Sequence, residues 1–268
     1  MRAEVGCDLV FDVSDHATIA VQVAAASSAA TIEVEDFVVA LDSRVLDAHE
    51  LAVDHGGRVH MVRCDTGRLT LRYRAVLLVA PPEERELDEA ETLLALRQSR
   101  YCPSDALEGF AETELGGLPD DADRGRAIGE WVHARLRNEP GSSGPLDDAV
   151  DTLLAGRGVC RDFAHLTIAL CRAIGLPARL VSVYAPGLSP MDFHAVAEVA
   201  VAGGWEVIDA TRAAPRQSLV RIATGRDAAD TALCTTIAGS AELVASNVNA
   251  IVLGALPVDD HRVAVAVS

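Results

Sequence analysis

The chain is 268 residues long, half of them hydrophobic, with 23 Lys and Arg against 40 Asp and Glu and a formal charge of −17. At about 100–200 residues per domain this is enough for two domains, and the apolar content excludes wholesale disorder and any need for covalent staples. Phosphate affinity comes from clustered Lys and Arg, so the acidic balance argues against nucleic acid and against an anionic membrane surface as partners.

The N-terminus, Met1-Arg2-Ala3-Glu4-Val5, has no apolar stretch behind a basic start. No run approaches the roughly 18 apolar residues of a spanning helix. The expected location is the cytoplasm, where thiols stay reduced. The six cysteines (Cys7, Cys64, Cys102, Cys160, Cys171 and Cys234) are scattered without a C-x-x-C pair, so neither zinc nor a redox dithiol is indicated. His49, Asp54, His55 and His60 fit no tight ligand spacing. No metal and no cofactor is expected.

Residues 1–80 read as β. Val21-Gln22-Val23 and Leu69 to Arg74 alternate apolar and polar, the period of a half-buried strand, and Gly56-Gly57 and Asp65-Thr66-Gly67 supply turns. A small β-sandwich is the simplest packing for such strands. Pro81-Pro82 closes the section, which divides the chain into an N-terminal β-sandwich domain at 1–82 and a catalytic domain at 83–268. Glu83 to Gln98 reads as a helix with an acidic start. A second helix runs from the N-caps Asp120/Asp121 through Ile128, Trp131, Val132 and Leu136. A loop at 139–145 follows, then a short helix through Val150 and Leu154 that ends near Gly156. Gly158-Val159-Cys160 opens a helix to Ile174, stopped by Gly175-Leu176-Pro177. Ala178 to Tyr184 is a strand, and His194 to Val201 with Trp205 to Asp209 forms a hairpin around Ala202-Gly203-Gly204. The tail carries short apolar runs and is expected to end on strands.

Cys160 begins a helix after two glycines, Gly156 and Gly158. Free amides and the dipole at a helix N-terminus stabilise thiolates and can bind a developing oxyanion. A nucleophilic cysteine also needs a base, normally His, and a third group to orient it. His165 is rotated roughly 140° from Cys160 on the same helix and cannot face the thiol; Asp162 is rotated about 200°. His194 opens one hairpin strand and Asp209 ends the other. If Ala200 pairs with Trp205, Asp209 falls opposite Val196, and His194 and Asp209 share a face on a diagonal of about 7–8 Å between backbones. An odd loop would put them on opposite faces. A tight Gly203-Gly204 turn would offset them by four residues, so the chemistry asks for the looser loop. The bland alternatives are a core cysteine, a surface histidine and a turn aspartate. Cys171, near the same helix face but three turns deeper, fits that alternative, and Cys7, Cys64, Cys102 and Cys234 are most simply structural.

Gly158 to Leu166 followed by Leu176-Pro177-Ala178-Arg179, then Asp192-Phe193-His194-Ala195, then Trp205 to Thr211, resemble the three ordered motifs of the transglutaminase-like superfamily, nearest the bacterial transglutaminase-like cysteine peptidases. Those proteins also carry segments similar to Tyr101 to Asp105, Gly141-Ser142-Ser143 and Gly225 to Asp230. The resemblance covers roughly residues 95–240. It implies an α+β fold, a papain-like core with the cysteine on a helix packed against an antiparallel sheet, behind an N-terminal β domain. It also implies Cys160 as nucleophile, His194 as base and Asp209 as orienting acid, with no metal or cofactor. The chain departs from the family at Val196, where an aromatic is common, and at Asn138-Glu139-Pro140. The implied reaction is acyl transfer on a protein, peptide or amide substrate. Hydrolysis is the leading expectation; amine-acceptor crosslinking and a non-catalytic binding or assembly module are the alternatives. One oxyanion donor would be the Cys160 amide; Tyr101 and Trp131 are loose candidates for the second.

Overall fold

The computed structural model describes residues 1–28, 30–80, 86–118, 123–202 and 204–267. The Pro81-Pro82 boundary, the Asp120/Asp121 caps and Gly203 lie outside the described residues. The chain begins with six strands: β1 (Arg2–Val21), β2 (Ala30–Leu41), β3 (Arg44–Leu46), β4 (His49–Ala52), β5 (Arg58–Cys64) and β6 (Gly67–Val79). It continues through α1 (Glu89–Leu96), α2 (Ser104–Leu115), α3 (Arg124–Arg135), β7 (Arg137–Asn138), α4 (Ala149–Ala155), β8 (Arg157–Gly158) and α5 (Cys160–Ala173). It closes with β9 (Ala178–Tyr184), β10 (Phe193–Val201), β11 (Gly204–Ile208), β12 (Val220–Gly225) and β13 (Cys234–Val252).

In β1 the odd positions Ala3, Val5, Cys7, Leu9, Phe11 and Val13 are all buried while Arg2, Glu4, Asp8, Val10 and Asp12 are less so, the period of two that a one-sided sheet requires. Among the described residues, seven strands form one curled antiparallel sheet in the order β3-β2-β6-β1-β5-β4, with β13 paired along the other edge of β1. The sheet is therefore built from both ends of the chain. The sandwich packing expected of residues 1–80 takes this curled form, and its core reaches Tyr184, Val220, Ile222 and Ala223 of the second sheet. The Tyr184 hydroxyl donates to the Val23 carbonyl at 2.8 Å and fastens the two sheets together.

The second sheet runs β11-β10-β9-β12. On one face α2, α3, α4 and α5 bury a cluster that includes Ile128, Val132, Phe163, Leu166, Leu170 and Leu180. The other face packs Val181, Val183, Val196 and Val207 under the tail residues Val265 and Val267. This is the expected α+β arrangement, a cysteine-bearing helix on an antiparallel sheet. Some local expectations differ from it. The first helix starts at Glu89, where Asp88 accepts the Glu91 amide as N-cap. α2 was not expected, although Leu107, Ala111 and Leu115 recur every fourth residue. After β13 the chain has no further strand among the described residues, because residues beyond Val252 satisfy their backbone singly, as where the Val265 carbonyl accepts the Val207 amide.

Candidate active site

Three local devices bring Cys160, His194 and Asp209 to one place. The first is the start of α5. Gly156, at φ +65°, ends α4 in the left-handed conformation that glycine adopts without steric cost. The short parallel pair β7–β8 then sets Asn138 against Gly158. Asp162 reaches back to accept the Val159 amide at 2.8 Å, which satisfies an amide left without an intrahelical acceptor. A side chain at 158 would put its Cβ 2.7 Å from that of Asp162, so glycine is required for this cap to form. Cys160 is consequently the first helical residue, half-buried, at the positive end of a helix whose next turns are fully buried. Arg161 donates to Ser143 Oγ and to the Gly144 carbonyl, both at 2.7 Å, and ties the Gly141–Gly144 loop to this helix start.

The second device is the hairpin. β10 and β11 pair with Ala200 opposite Trp205 and Ala197 opposite Ile208, the register that puts His194 and Asp209 on one face. Their side chains close the diagonal: His194 Nε2 and Asp209 Oδ2 are 2.9 Å apart, both buried. The Cys160 thiol lies near enough to the same imidazole to help raise its proton affinity. With Nε2 taken by the carboxylate, Nδ1 is the nitrogen left for the thiol.

The third device fixes Asp209. Its Oδ1 accepts from the Thr211 hydroxyl at 2.6 Å and the Thr211 amide at 3.0 Å, so Oδ2 is the oxygen turned to the ring. The Ala213 amide donates to the Thr211 hydroxyl oxygen, which directs that hydroxyl's proton toward Asp209. On the backbone side, His133 Nδ1 bonds to the Ala210 carbonyl at 2.8 Å.

The electrostatics follow from this packing. Burial alone would push the His194 imidazole down, but the Asp209 carboxylate, its hydrogen bond and the Cys160 thiol overcome it and raise the ring to about 10. Burial pushes Asp209 the other way, yet His194 and the two Thr211 donors hold its carboxyl below the ordinary carboxylate range.

The competing residues lie elsewhere. His165 is fully buried, stacked on Tyr101 with ring centroids 5.2 Å apart, and its Nε2 accepts the Ala228 amide at 3.2 Å. Burial drives it down to about 4. The Tyr101 hydroxyl donates to the Pro145 carbonyl, while Trp131 packs edge-on to Phe110 beneath Arg135. Cys171 is buried in the helix–sheet core. The segments around Tyr101 and Asp227 form a buttress for α5, with Asp227 accepting the Tyr101 and Ala229 amides. Sequence reasoning missed Thr211, although a hydroxyl two residues after an aspartate is a recurrent local hydrogen-bonding pattern.

Comparison with known proteins agrees with this architecture. Residues 109–210 match the core of the transglutaminase-like superfamily. The crystal structure of a "putative cysteine protease" from Cytophaga hutchinsonii superposes with a TM-score of 0.88 at 31% identity, over 98% of this chain and 95% of that one. An uncharacterised protein of Mycobacterium leprae is 33% identical over 117 residues; the match spans 40% of this chain and 41% of the relative's length. The periplasmic domain of TgpA from Pseudomonas aeruginosa aligns at 20% identity with a TM-score of 0.42, over 70% of this chain and 67% of that one. The chain belongs to the transglutaminase-like superfamily, and that membership supports cysteine-based catalysis in general.

Proposed function

We propose that the protein is a cysteine-dependent acyl-transfer enzyme that hydrolyses an amide or peptide bond through a thioester. His194 takes the Cys160 proton, and the sulfur attacks the amide carbonyl. The Cys160 amide, at the first helical position without an intrahelical acceptor, faces the oxyanion. The tetrahedral adduct collapses as the imidazolium gives its proton to the departing amine, leaving an acyl group on sulfur. Water, deprotonated by the same imidazole, then attacks the thioester and releases the acid and the thiol. Asp209 holds Nε2–H so that Nδ1 exchanges the proton, and its charge balances the imidazolium. The substrate is a protein, peptide or simple amide.

The observation that carries this reading is the buried His194–Asp209 pair at 2.9 Å, with the half-buried Cys160 at a helix start among the groups that raise the imidazole. The test uses an activated acyl donor, a p-nitrophenyl ester. The wild type should release nitrophenol and carry the acyl mass on Cys160. Cys160→Ala should lose both while keeping its circular dichroism melt, because alanine suits a first helical turn. Nitrophenol release by that variant at the wild-type rate would overturn the mechanism. Adding a primary amine decides the acceptor: an amide product in place of the acid identifies crosslinking instead of hydrolysis.

A further inference from the structure

Residues 257–267 form no helix and no strand, yet they lie as a strap along the second sheet. Val265 and Val267 pack against Val181, Val183, Val196 and Val207. Two arginines anchor the strap. Arg216, which is 2% exposed, reaches into it from the loop after β11. Its backbone N–H and its Nε donate to Asp259 Oδ2 at 2.9 and 2.8 Å, and its Nη2 donates to Asp259 Oδ1 at 3.0 Å. The same Nη2 donates to the Val263 carbonyl at 2.9 Å. The Asp259 side chain is buried as deeply as its partner, and its Oδ1 also accepts the His261 amide at 2.9 Å. Further along, Arg221 Nη2 donates to the Val267 carbonyl at 2.8 Å.

The strap is bonded to the strand that delivers Asp209. β11 is the outer strand of its sheet and pairs with β10. Val207 stands two residues before Asp209. Its N–H donates to the Val265 carbonyl at 2.7 Å, and its own carbonyl accepts Arg216 Nη1 at 3.1 Å. Both edge groups of this residue are therefore satisfied by the strap and its anchor. Ile208 is the last residue of β11 in register with β10, and Asp209 follows it. Asp209, Ile208, Arg216 and His261 line one cavity of only about 20 Å³, so strap, anchor and carboxylate share one closely packed place. The consequence for chemistry is a matter of tolerance. Asp209 Oδ2 sits 2.9 Å from His194 Nε2, and a misplacement of about 1 Å in such a constellation can cost on the order of 10²-fold in rate.

We propose that Arg216 and Asp259 are positioning residues, whose ion pair pins the strap along the outer edge of β11 and so holds Asp209 at bonding distance from His194, a role that rests on Asp209 orienting the imidazole as proposed above. A buried guanidinium is costly to leave without its carboxylate, so the pair commits the strap to this one position.

Asp259→Ala removes the pin without altering Cys160, His194 or Asp209. In the folded variant, kcat for the p-nitrophenyl ester should fall at least tenfold while KM stays within twofold of wild type. The His194 ring, raised to about 10 against its burial by Asp209, should titrate at least one pH unit lower by imidazole NMR. If Asp259→Ala does not fold, Asp259→Asn keeps the shape and loses the charge, and it should shift both readouts in the same direction, with kcat down at least threefold. A strap that only stabilises the fold would lower the melting temperature and leave kcat and the ring titration at wild-type values; that result overturns the proposal. A wild type that fails to acylate Cys160 refutes the mechanism instead, and the ring titration then still decides the role of the strap.

Discussion

Replacing Asp209 with asparagine separates charge from shape at the centre of the proposed mechanism. The new carbonyl oxygen can still accept both Thr211 donors, which leaves the amide NH2 facing His194 Nε2. An imidazole opposite a donor accepts at Nε2 and carries its proton on Nδ1, so the nitrogen beside the thiol can no longer take a proton. The charge effect acts in the same direction. The rise of His194 from 6.5 to about 10 is worth roughly 5 kcal/mol in favour of the imidazolium, at about 1.4 kcal/mol per tenfold change in proton affinity. Without the carboxylate, burial dominates and the ring falls below its ordinary value. Turnover should drop by about 10³–10⁴, less than the roughly 10⁶ expected from removing His194. Alkylation of Cys160 by iodoacetamide, followed by mass spectrometry, should slow at least tenfold near pH 7. Stability gives an independent reading. Because the folded-state value of His194 is raised, its contribution is fully present below about pH 6.5 and is lost as the pH climbs through 10. Asp209 is depressed, so its own contribution is present above about 3.8 and lost in stronger acid. The variant should lack the alkaline slope in a urea titration series. Wild-type alkylation at neutral pH, together with turnover within tenfold of wild type, would refute the assignment of Asp209.

Other perturbations follow from the same contacts. Thr211→Val removes the 2.6 Å donor to Asp209 and should cost about 1.5–3 kcal/mol of carboxylate positioning, seen as a lower kcat at unchanged KM, with Thr211→Ser restoring it. Glu198 is fully buried between Arg179 and Arg221, so Glu198→Gln should destabilise the fold by about 3–5 kcal/mol in urea denaturation. Its carboxyl is held at about 2, against burial, by those two arginines, so the wild type should lose this contribution as the pH falls from 4.5 toward 2 while the variant shows no such step. Gly129→Ala places a Cβ 2.4 Å from Ile208 Cγ2, next to Asp209, and should cost about 1–3 kcal/mol in melting experiments together with activity. Gly109→Ala, in α2 with nothing within 4 Å, should instead gain about 0.5–1 kcal/mol.

The parts of the structure legible in the sequence are those set by local rules. Glycines before Cys160 announced a helix start, and the strand expected from Ala178 to Tyr184 is β9. The hairpin register followed from requiring a shared face for His194 and Asp209, since a period of two allows only some loops. Illegible were the features decided by distant partners. β13 pairs with β1 although Val252 and Ala3 stand at opposite ends of the chain, and alternation within either strand does not name its partner. β1 itself runs for 20 residues through several bulges, which break the pattern that a strand search follows. α2 is marked by only a few apolar positions in a polar segment, too weak a stripe to stand out before α5 is there to receive it. The role of Thr211 depends on where its side chain ends up, not on periodicity.

The three site residues come from separate segments, and each is held by contacts that owe nothing to the other two. Cys160 owes its place to the Asp162 cap and to the absence of a side chain at 158. His194 owes its place to β10 lying between β9 and β11. Asp209 is aimed by Thr211 and backed by the His133 contact to Ala210. Burying an imidazole and a carboxylate together is costly unless their geometry is fixed in advance, because each partner must offset the desolvation of the other. Independent supports provide that fixing: losing one contact among the three leaves the remaining devices in place to hold the pair.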